Sequence, residues 1–418
     1  MRGLVLSTLV VLLISLVSHL SIARWLEDHS TFVLRHKRRT RLAAALLACV
    51  GPGLRFLAFS RIGLAKDVAA IALIEVALVM CSGSPLGIMK TGFWLYGRVV
   101  DGLLRSLGHR RAQRIAESGA PEARSQAASI EQETSEREAA RVSRRQVLER
   151  VAGVALLGSS TGAIGWGVVR GRHAFQLDKL VVKIPGLPRE LEGYVIAQIS
   201  DVHTGTFVEE RELENGLAIV RSLRPDLVVA TGDLVDHDAR YAELFARTFG
   251  RLQARDGLYA ILGNHDYTTG AEAVRHALAR AGIPLLCNQG HHLRAGDGGG
   301  FALLGVDDLW GPRWGSRGPD LDRAIAQVPG EIPRILLAHQ PVYFRKAAGR
   351  VALQLSGHTH GGQINPGFRP ASLFMEYVAG RYERSGSTLY VNRGFGVAGP
   401  PSRVGAPPEI TQIVLVSG

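Results

Sequence analysis

The stretch Asp226-Leu-Val-Val-Ala-Thr-Gly-Asp233 joins a short, unbroken apolar run to a glycine and a carboxylate. An apolar run of this length that ends at turn residues is typical of a β-strand buried on both of its faces. The same arrangement recurs through the C-terminal half of the chain. The other runs are YVIAQIS (194–200), LYAIL (258–262), FALLGV (301–306), ILLA (335–338), LQLS (353–356), STLYVN (387–392) and ITQIVLVS (410–417).

Amphipathic helices are predicted between these strands. EERELENGLAIVRSL (209–223) and GAEAVRHALARAG (270–282) carry apolar residues at helical spacing. Strands that alternate with such helices predict a layered domain with crossover helices. We therefore expect a fold of the α/β class for residues 175–418.

Polar side chains follow the carboxyl ends of the predicted strands. They are Asp201 with His203, Asp233, Asn264 with His265, His339, and His358 with His360. Ligand sites in α/β sheets collect at this edge, so we expect these distant residues to meet. Two carboxylates, one amide oxygen and several imidazoles exceed the needs of one tetrahedral zinc ion and suit two ions that share a bridging group. The neighbouring residues Asp236, His237 and Asp238 are interpreted as ordinary turn or surface residues.

The motifs DVH, GDLVDH, GNHD, AHQP and GHTHGGQ, in this order, resemble those of the calcineurin-like metallophosphoesterase superfamily, over about residues 190–415. The form GHTHGGQI, with LYVNRGFG and APPEI further on, is similar to the membrane-associated branch described as UDP-2,3-diacylglucosamine hydrolase-like. The N-terminal region resembles that of transmembrane metallophosphoesterases. The resemblance implies an α/β/β/α fold, in which a layered β-sandwich is flanked by helices.

The resemblance also implies residue roles. Asp201, His203 and His360 match the ligands of a first metal ion, and Asn264, His339 and His358 match those of a second. Asp233 matches the bridging ligand. His265 matches the residue that faces the scissile phosphate, positioned by Asp266. The mixed oxygen and nitrogen ligand set accepts two divalent ions of manganese, iron, zinc or cobalt.

The N-terminal third has the composition of a membrane region. Residues 4–23 form an apolar run of about the length that a spanning helix needs. A single preceding arginine and the lack of a clear cleavage site favour a retained span over a signal peptide. Shorter runs at 42–59 and 68–82 predict a membrane hairpin with Glu75 facing another helix, and the alternative is a pair of buried soluble helices. We expect about three spanning helices in residues 1–104, preceding the α/β domain as an all-α transmembrane region.

A charged segment separates this region from the next apolar run. Residues 105–150 are rich in Arg, Glu, Gln, Ala and Ser and predict a cytoplasmic linker that is helical in part at most. The paired arginines of Ser143–Leu148 precede the apolar run 151–169 and resemble a twin-arginine export signal, and the alternative is the basic flank of a fourth span. Both interpretations send residues 175–418 to the non-cytoplasmic side of a plasma or inner membrane.

The positions of the basic residues bear on the partners. The chain carries a net charge of +12 over 418 residues, with most basic clusters flanking apolar runs. Such placement fits anionic lipid headgroups better than DNA, so we expect a bilayer and a lipid phosphate as partners and no nucleic acid. No protein partner is readable, and three cysteines give no disulfide framework.

Together these features predict a membrane-anchored, dinuclear metal-dependent phosphoesterase that cleaves a phosphodiester or pyrophosphate bond. The expected substrate is lipid-linked, either a phospholipid or a molecule like UDP-2,3-diacylglucosamine. Phe368 and Arg369 follow the paired histidines and predict an apolar and basic lip for a lipid phosphate, unless the apolar residues pack the core. Arg393 is a further candidate phosphate contact, unless it pairs with an acid. The rival functions are a membrane receptor or scaffold with a non-catalytic metal centre, and a phosphodiesterase or nuclease acting on nucleotides.

Overall fold

The computed structural model describes residues 2–59, 66–117, 123–205, 207–296 and 299–418. The chain divides into two compact units, Met1–Gly162 and Ala163–Gly418.

The first unit is helical. Its helices are α1 (Arg2–His29), α2 (Thr31–Arg35), α3 (Lys37–Phe59), α4 (Lys66–Ala116) and most of α5 (Ala123–Val169). Within the described part of the chain, three helical stretches are long and apolar enough to cross a membrane: Leu9–His29, Ile71–Ala116 and Ser125–His173. The predicted run 42–59 lies on α3, and the side chains of residues 55–59 lie outside what the structure describes.

A polar contact joins two of the apolar helices. Nε2 of His19 on α1 lies 2.9 Å from Oε1 of Glu75 on α4. Ionisable residues inside apolar helices usually pair with one another, because an isolated charge there is costly. Glu75 therefore faces another helix, as its position in an apolar run predicts.

The charged segment 105–150 is more helical than its composition suggests. Residues 105–116 belong to α4 and residues 123–150 belong to α5. Alanine, glutamate and arginine all have high helix propensity, and pairs four residues apart such as Glu133 and Arg137 add support. Low hydrophobicity predicted a solvated segment, but it is a poor guide to whether such a segment is helical.

The second unit contains two β-sheets. The strands are β1 (Gln176–Ile184), β2 (Val195–Ile199), β3 (Leu227–Thr231), β4 (Leu258–Ile261), β5 (Gln289–Leu293), β6 (Phe301–Gly305), β7 (Arg334–Leu337), β8 (Leu353–Ser356), β9 (Gly380–Arg384), β10 (Ser387–Val391) and β11 (Glu409–Ser417). One sheet has the order β1-β11-β2-β3-β4 and the other has the order β5-β6-β7-β8-β10-β9. Strands β2, β3 and β4 run parallel, as do β6, β7, β8 and β10.

The two sheets pack face to face with helices outside. Alternate residues such as Val229 and Leu337 meet in the core between the sheets. The outer face of the first sheet packs against α6 (Glu210–Ser222), α7 (Tyr241–Phe249) and α8 (Asn264–Arg280). The outer face of the second sheet packs against α9 (Leu321–Ile325), which the short α10 (Phe344–Ala347) follows along the chain. This is the α/β/β/α sandwich that the resemblance implied.

Every apolar run that predicted a strand forms one. The strands without such a run, β1, β5 and β9, each lie at the edge of a sheet and include exposed residues. A strand with a solvated side needs few apolar residues, so an apolar run is a weak guide to its position.

Candidate metal centre

The predicted ligands lie where five strands end. Asp201 follows β2, Asp233 follows β3, Asn264 begins α8 just after β4, His339 follows β7, and His358 follows β8. The edges of the two sheets meet here, since the backbone N–H of His358 donates to both carboxylate oxygens of Asp201 over 2.9 Å. These positions are buried, with His358 partly so. The sandwich therefore brings together six of the seven residues predicted from the sequence as ligands, and the seventh, Asn264, lies between Gly263 and His265, which both approach Asp233.

Many of these residues have an unusual backbone conformation. Positive φ angles occur at Asp201 (49°), His203 (50°), Asp233 (52°), His358 (72°) and His360 (52°). The left-handed region is sparsely populated by residues other than glycine and costs free energy that the surroundings must offset. The alternation of side chains along a strand does not apply to Asp201 and His203, because both residues lie beyond the end of β2.

Glycines let the ligands approach one another. A Cβ atom at Gly263 would lie 2.2 Å from Oδ1 of Asp233, and one at Gly357 would lie 2.0 Å from Oδ2 of Asp201. Any larger residue at either position would displace a carboxylate. The glycines that precede Asn264 and His358 in the sequence are therefore required for close packing of the site.

A first group of candidate ligands, here named the first ligand group, comprises Asp201, His203 and His360, whose candidate ligand atoms all lie within 4.8 Å of one another. Nε2 of His203 is 3.0 Å from Nε2 of His360, and Nε2 of His360 is 3.4 Å from Oδ1 of Asp201. These nitrogen and oxygen atoms converge on one point, as the ligands of a metal ion do.

A second group of candidate ligands, here named the second ligand group, comprises Asp233, His339 and His358, to which we add the neighbouring Asn264 as a sequence-predicted ligand. The ligand atoms of its two histidines and Asp233 lie within 4.8 Å of one another. Oδ2 of Asp233 is 3.2 Å from Nε2 of His339 and 3.7 Å from Nε2 of His203 in the first ligand group. The carboxylate of Asp233 therefore lies between the two groups, where a bridging ligand is needed.

The unsatisfied atoms of the site fit metal ions. Oδ1 of Asn264 is buried and makes no hydrogen bond within the described part of the chain, and the buried Nε2 of His339 lies 3.2 Å from the carboxylate of Asp233. A buried polar atom without a partner costs about 1–3 kcal/mol. Both atoms are common metal ligands, and coordination of Oδ1 of Asn264 would remove this cost.

Burial and the neighbouring charges shift the pKa values of the site in opposite directions. Burial lowers the pKa of His358 to about 3. Burial would raise the pKa of Asp233, but His339 and His265 outweigh it and hold the pKa well below its usual range. The carboxylate of Asp233 is thus ionised and His358 is neutral at pH 7, which are the forms that bind metal.

His265 contacts a different carboxylate from the one predicted. Its Nδ1 lies 2.8 Å from Oδ1 of Asp236, whereas Asp266 accepts backbone N–H groups from Gly263, Leu234 and Val235. Asp266 is the third residue of α8, so its carboxylate caps the start of that helix. The prediction that Asp266 positions His265 is therefore wrong as a contact, and so is the interpretation of Asp236 as an ordinary turn residue.

The environment of His265 favours its protonated form. Burial lowers its pKa, but Asp233 and the hydrogen bond with Asp236 outweigh burial and raise the pKa to about 9. Its side chain keeps 26% of its surface exposed, and its ring stands edge-on to His203 at 4.7 Å. A proton donor is thus accessible beside the first ligand group.

Arg403 supports the first ligand group, and sequence reasoning missed it. Its buried guanidinium donates to the carbonyl oxygens of Gly396 (2.9 Å) and Arg393 (2.7 Å). It also lies 3.1 Å from Nδ1 of His360, and burial lowers its pKa to about 9. An arginine 43 residues beyond His360 gives no sequence signal for such a contact.

The predicted substrate contacts have different environments. Arg393 pairs with Asp178 at 3.0 Å and with Glu409 at 3.1 Å, so the alternative of pairing with acids is correct and its guanidinium is not available for phosphate. Phe368 and Arg369 are exposed on the loop after the paired histidines. Gly361, next to His360, makes room for the stem of Arg393, because a Cβ atom there would lie 2.8 Å from Arg393 Cγ.

Comparison with known proteins identifies the family. Residues 194–362 match the family model described as calcineurin-like phosphoesterase. The chain is 32% identical over 287 residues to the Bacillus subtilis protein named "Uncharacterized metallophosphoesterase YkuE", covering 66% of this chain and 99% of that protein. A Helicobacter pylori metallophosphoesterase is 31% identical over 277 residues, covering 66% of this chain and 73% of its own length.

A further relative is named as a transmembrane protein. The Danio rerio "Transmembrane protein with metallophosphoesterase domain" is 34% identical over 261 residues, which cover 60% of this chain and 59% of that protein. The chain therefore belongs to the calcineurin-like phosphoesterases, a family of hydrolases that use a dinuclear metal centre.

Proposed function

We propose that the chain is a membrane-anchored phosphoesterase that hydrolyses a phosphodiester or pyrophosphate bond of a lipid-linked substrate. The observation that carries this proposal is the path of α5. This helix contains the apolar segment 151–169 and most of the stretch Ser125–His173, which is long and apolar enough to cross a membrane. It leads directly into the unit that holds the metal centre, so the catalytic residues work beside a bilayer.

The seven candidate ligands would hold two divalent ions. The first ligand group would hold one ion, the second ligand group would hold the other, and Asp233 would bridge them. When bound, two such ions polarise phosphoryl oxygens and lower the pKa of a water molecule, so that phosphorus is attacked at neutral pH. Manganese, iron, zinc and cobalt all suit this ligand set.

His265 would donate a proton to the leaving oxygen. Its Nδ1 is bonded to Asp236, which leaves Nε2 as the atom that can donate to a substrate. Asp233 and Asp236 favour the protonated ring, and its exposed edge can reach a bound phosphate. Asp266 contributes by holding the turn between Gly263 and His265 rather than by direct contact.

The substrate would be a phospholipid or a molecule like UDP-2,3-diacylglucosamine. The charge pattern around the apolar segments favours residues 175–418 on the non-cytoplasmic side of a plasma or inner membrane. On that side an exported lipid phosphate is the better match, because a nucleotide-linked lipid precursor is a cytoplasmic metabolite. The exposed Phe368 and Arg369 supply apolar and basic groups for such a lipid.

The test compares substrate classes on the purified full-length protein. We expect manganese-dependent hydrolysis of bis(p-nitrophenyl) phosphate, and a kcat/KM for at least one lipid phosphate that is about 10-fold or more above that for an oligonucleotide, about 1.4 kcal/mol. An oligonucleotide as the best substrate would contradict the lipid assignment. Absence of hydrolysis in the presence of two bound ions would favour a receptor or scaffold. A reporter fused after residue 175 would report the side of the membrane.

A further inference from the structure

An exposed apolar loop lies beside the metal centre. We name residues 366–376 the apolar loop. Three of its side chains are mostly exposed: Phe374 (88%), Leu373 (72%) and Phe368 (60%), and Met375 is exposed as well. Four large apolar side chains exposed within eight residues of one another are costly in water. The alternative that the apolar residues after the paired histidines pack the core is therefore wrong for these four side chains.

The base of the apolar loop is tied to the site. Thr359, between the two paired histidines, donates to the carbonyl oxygen of Val378 just beyond the loop. A Cβ atom at Gly362 would lie 3.4 Å from the Cβ of Ala371 in the loop. The loop therefore stands within a few residues of His358 and His360.

The same base is tied to the end of α5. The backbone N–H of Asn365 donates to the carbonyl oxygen of Val404 over 2.8 Å. The residue before it, Arg403, donates its backbone N–H to the carbonyl oxygen of Gly167 over 3.3 Å. The hydroxyl of Ser402 donates to the carbonyl oxygen of Ile164 over 3.2 Å.

These contacts set the distance of the loop from a bilayer. Ile164 and Gly167 lie within the apolar segment 151–169, no more than about 8 Å along the helix from its end at 1.5 Å per residue. The strip Ser402–Val404 packs so closely there that a Cβ atom at Gly167 would lie 2.2 Å from Oγ of Ser402. If α5 crosses a membrane, this strip and the apolar loop beside it are at the membrane surface.

We propose that the apolar loop inserts into the surface of the lipid bilayer into which α5 anchors the chain. Apolar side chains next to a basic residue, here Arg369, are typical of segments that lie at the boundary between headgroups and acyl chains. Insertion removes the exposed side chains from water and holds the metal centre at the depth of lipid phosphates. The inference rests on the membrane anchoring in the proposed function and is independent of which phosphate is cleaved.

Photo-crosslinking tests this proposal in the full-length chain. The photoreactive residue p-benzoylphenylalanine replaces Phe374 in the protein embedded in vesicles of phosphatidylcholine and phosphatidylglycerol. We expect a mass increase of one lipid on the peptide that contains residue 374. The same residue placed at Ala279, which is exposed near the far end of α8 from Asn264, is the matched control and should gain no lipid.

Other products would overturn the proposal. A covalent dimer would mean that the apolar loop meets a second copy of the chain, and absence of any adduct would mean that it faces water. Lipid adducts of equal yield at both positions would mean that residue 374 meets lipid no more often than an exposed residue far from the loop, which also refutes insertion. A lipid adduct at residue 374 in a protein that hydrolyses no lipid phosphate would support insertion of the apolar loop and refute the proposed substrate. Failure of the insertion proposal and failure of the substrate proposal are therefore distinguishable.

Discussion

The two ligand groups are supported by different neighbours. In the second group, Nδ1 of His339 lies 2.8 Å from the carbonyl oxygen of Thr231, so it donates a hydrogen bond and turns Nε2 toward the carboxylate of Asp233, 3.2 Å away, where a metal ion would bind. In the first group, Nδ1 of His360 faces the guanidinium of Arg403, which has only donors. A backbone carbonyl therefore fixes the ring orientation of His339, whereas a buried cation lies behind His360. The difference teaches that the second group is the better organised of the two before metal binds.

Asp233→Asn should weaken metal binding by both ligand groups, so that neither retains its ion. The carboxylate lies within 3.7 Å of histidines in both groups, so its loss weakens both sites. We expect loss of both ions and a fall in activity of more than about 10⁴-fold, because metal and proton-donor contributions of about 10²–10⁴-fold disappear together. Metal content by mass spectrometry and hydrolysis of bis(p-nitrophenyl) phosphate check this. Two bound ions with normal activity would refute the bridging role.

His265→Ala should leave both groups intact and remove the proton donor beside the first. We expect kcat to fall by about 10²- to 10⁴-fold with two ions still bound. Metal loss in this variant would mean that His265 is a ligand instead.

Asp236→Asn and Asp266→Asn form a matched pair of variants. The first removes the carboxylate that contacts His265, and the second removes the carboxylate that caps the start of α8. Asp236→Asn should lower kcat by about 10-fold, within the range for residues behind a catalytic group. Asp266→Asn should chiefly lower the free energy of unfolding, because its carboxylate accepts three backbone N–H groups. The opposite result, read from kcat and from thermal unfolding, would restore Asp266 as the partner of His265.

Arg403→Met should act on the first group alone. The variant keeps an apolar stem of similar length but cannot donate to the carbonyl oxygens or approach His360 as a cation. We expect one ion per chain after brief exposure to a chelator, where the native protein retains two, and a fall in activity of about 10- to 100-fold. Equal loss of metal ions from both ligand groups would show that Arg403 only stabilises the fold. The thermal unfolding of the variant is measured as the control for such a loss of stability.

Arg393→Gln should leave both groups and the activity nearly unchanged. Its guanidinium pairs with Asp178 and with the fully buried side chain of Glu409, so the substitution leaves the buried carboxylate of Glu409 without its cationic partner. We expect the free energy of unfolding to fall by about 3 kcal/mol while KM changes by less than about 3-fold. A large rise in KM would return Arg393 to the substrate contacts.

The fold of the second unit and the clustering of the candidate ligands were largely predictable from the sequence. Buried parallel strands need continuous apolar runs, and the polar residue after each run lies at a common sheet edge, so a linear pattern is enough to identify Asp233, His339 and the others. Strands β1, β5 and β9 carry no such run, because one side of an edge strand faces solvent. The sequence also did not predict that residues 123–150 are helical throughout, because the helix propensity of a segment and its solvation vary independently.

The amino-acid sequence by itself determined the α/β class, the apolar segments and the set of residues that meet at the metal centre. Only the tertiary structure decided which carboxylate contacts His265, what lies behind His360 and why Arg393 cannot bind phosphate. These are side-chain contacts between segments up to 231 positions apart, as between Asp178 and Glu409 around Arg393, and no local pattern encodes them. Burial makes such contacts decisive, since a charged group removed from water must find its partner among whichever side chains the fold brings near.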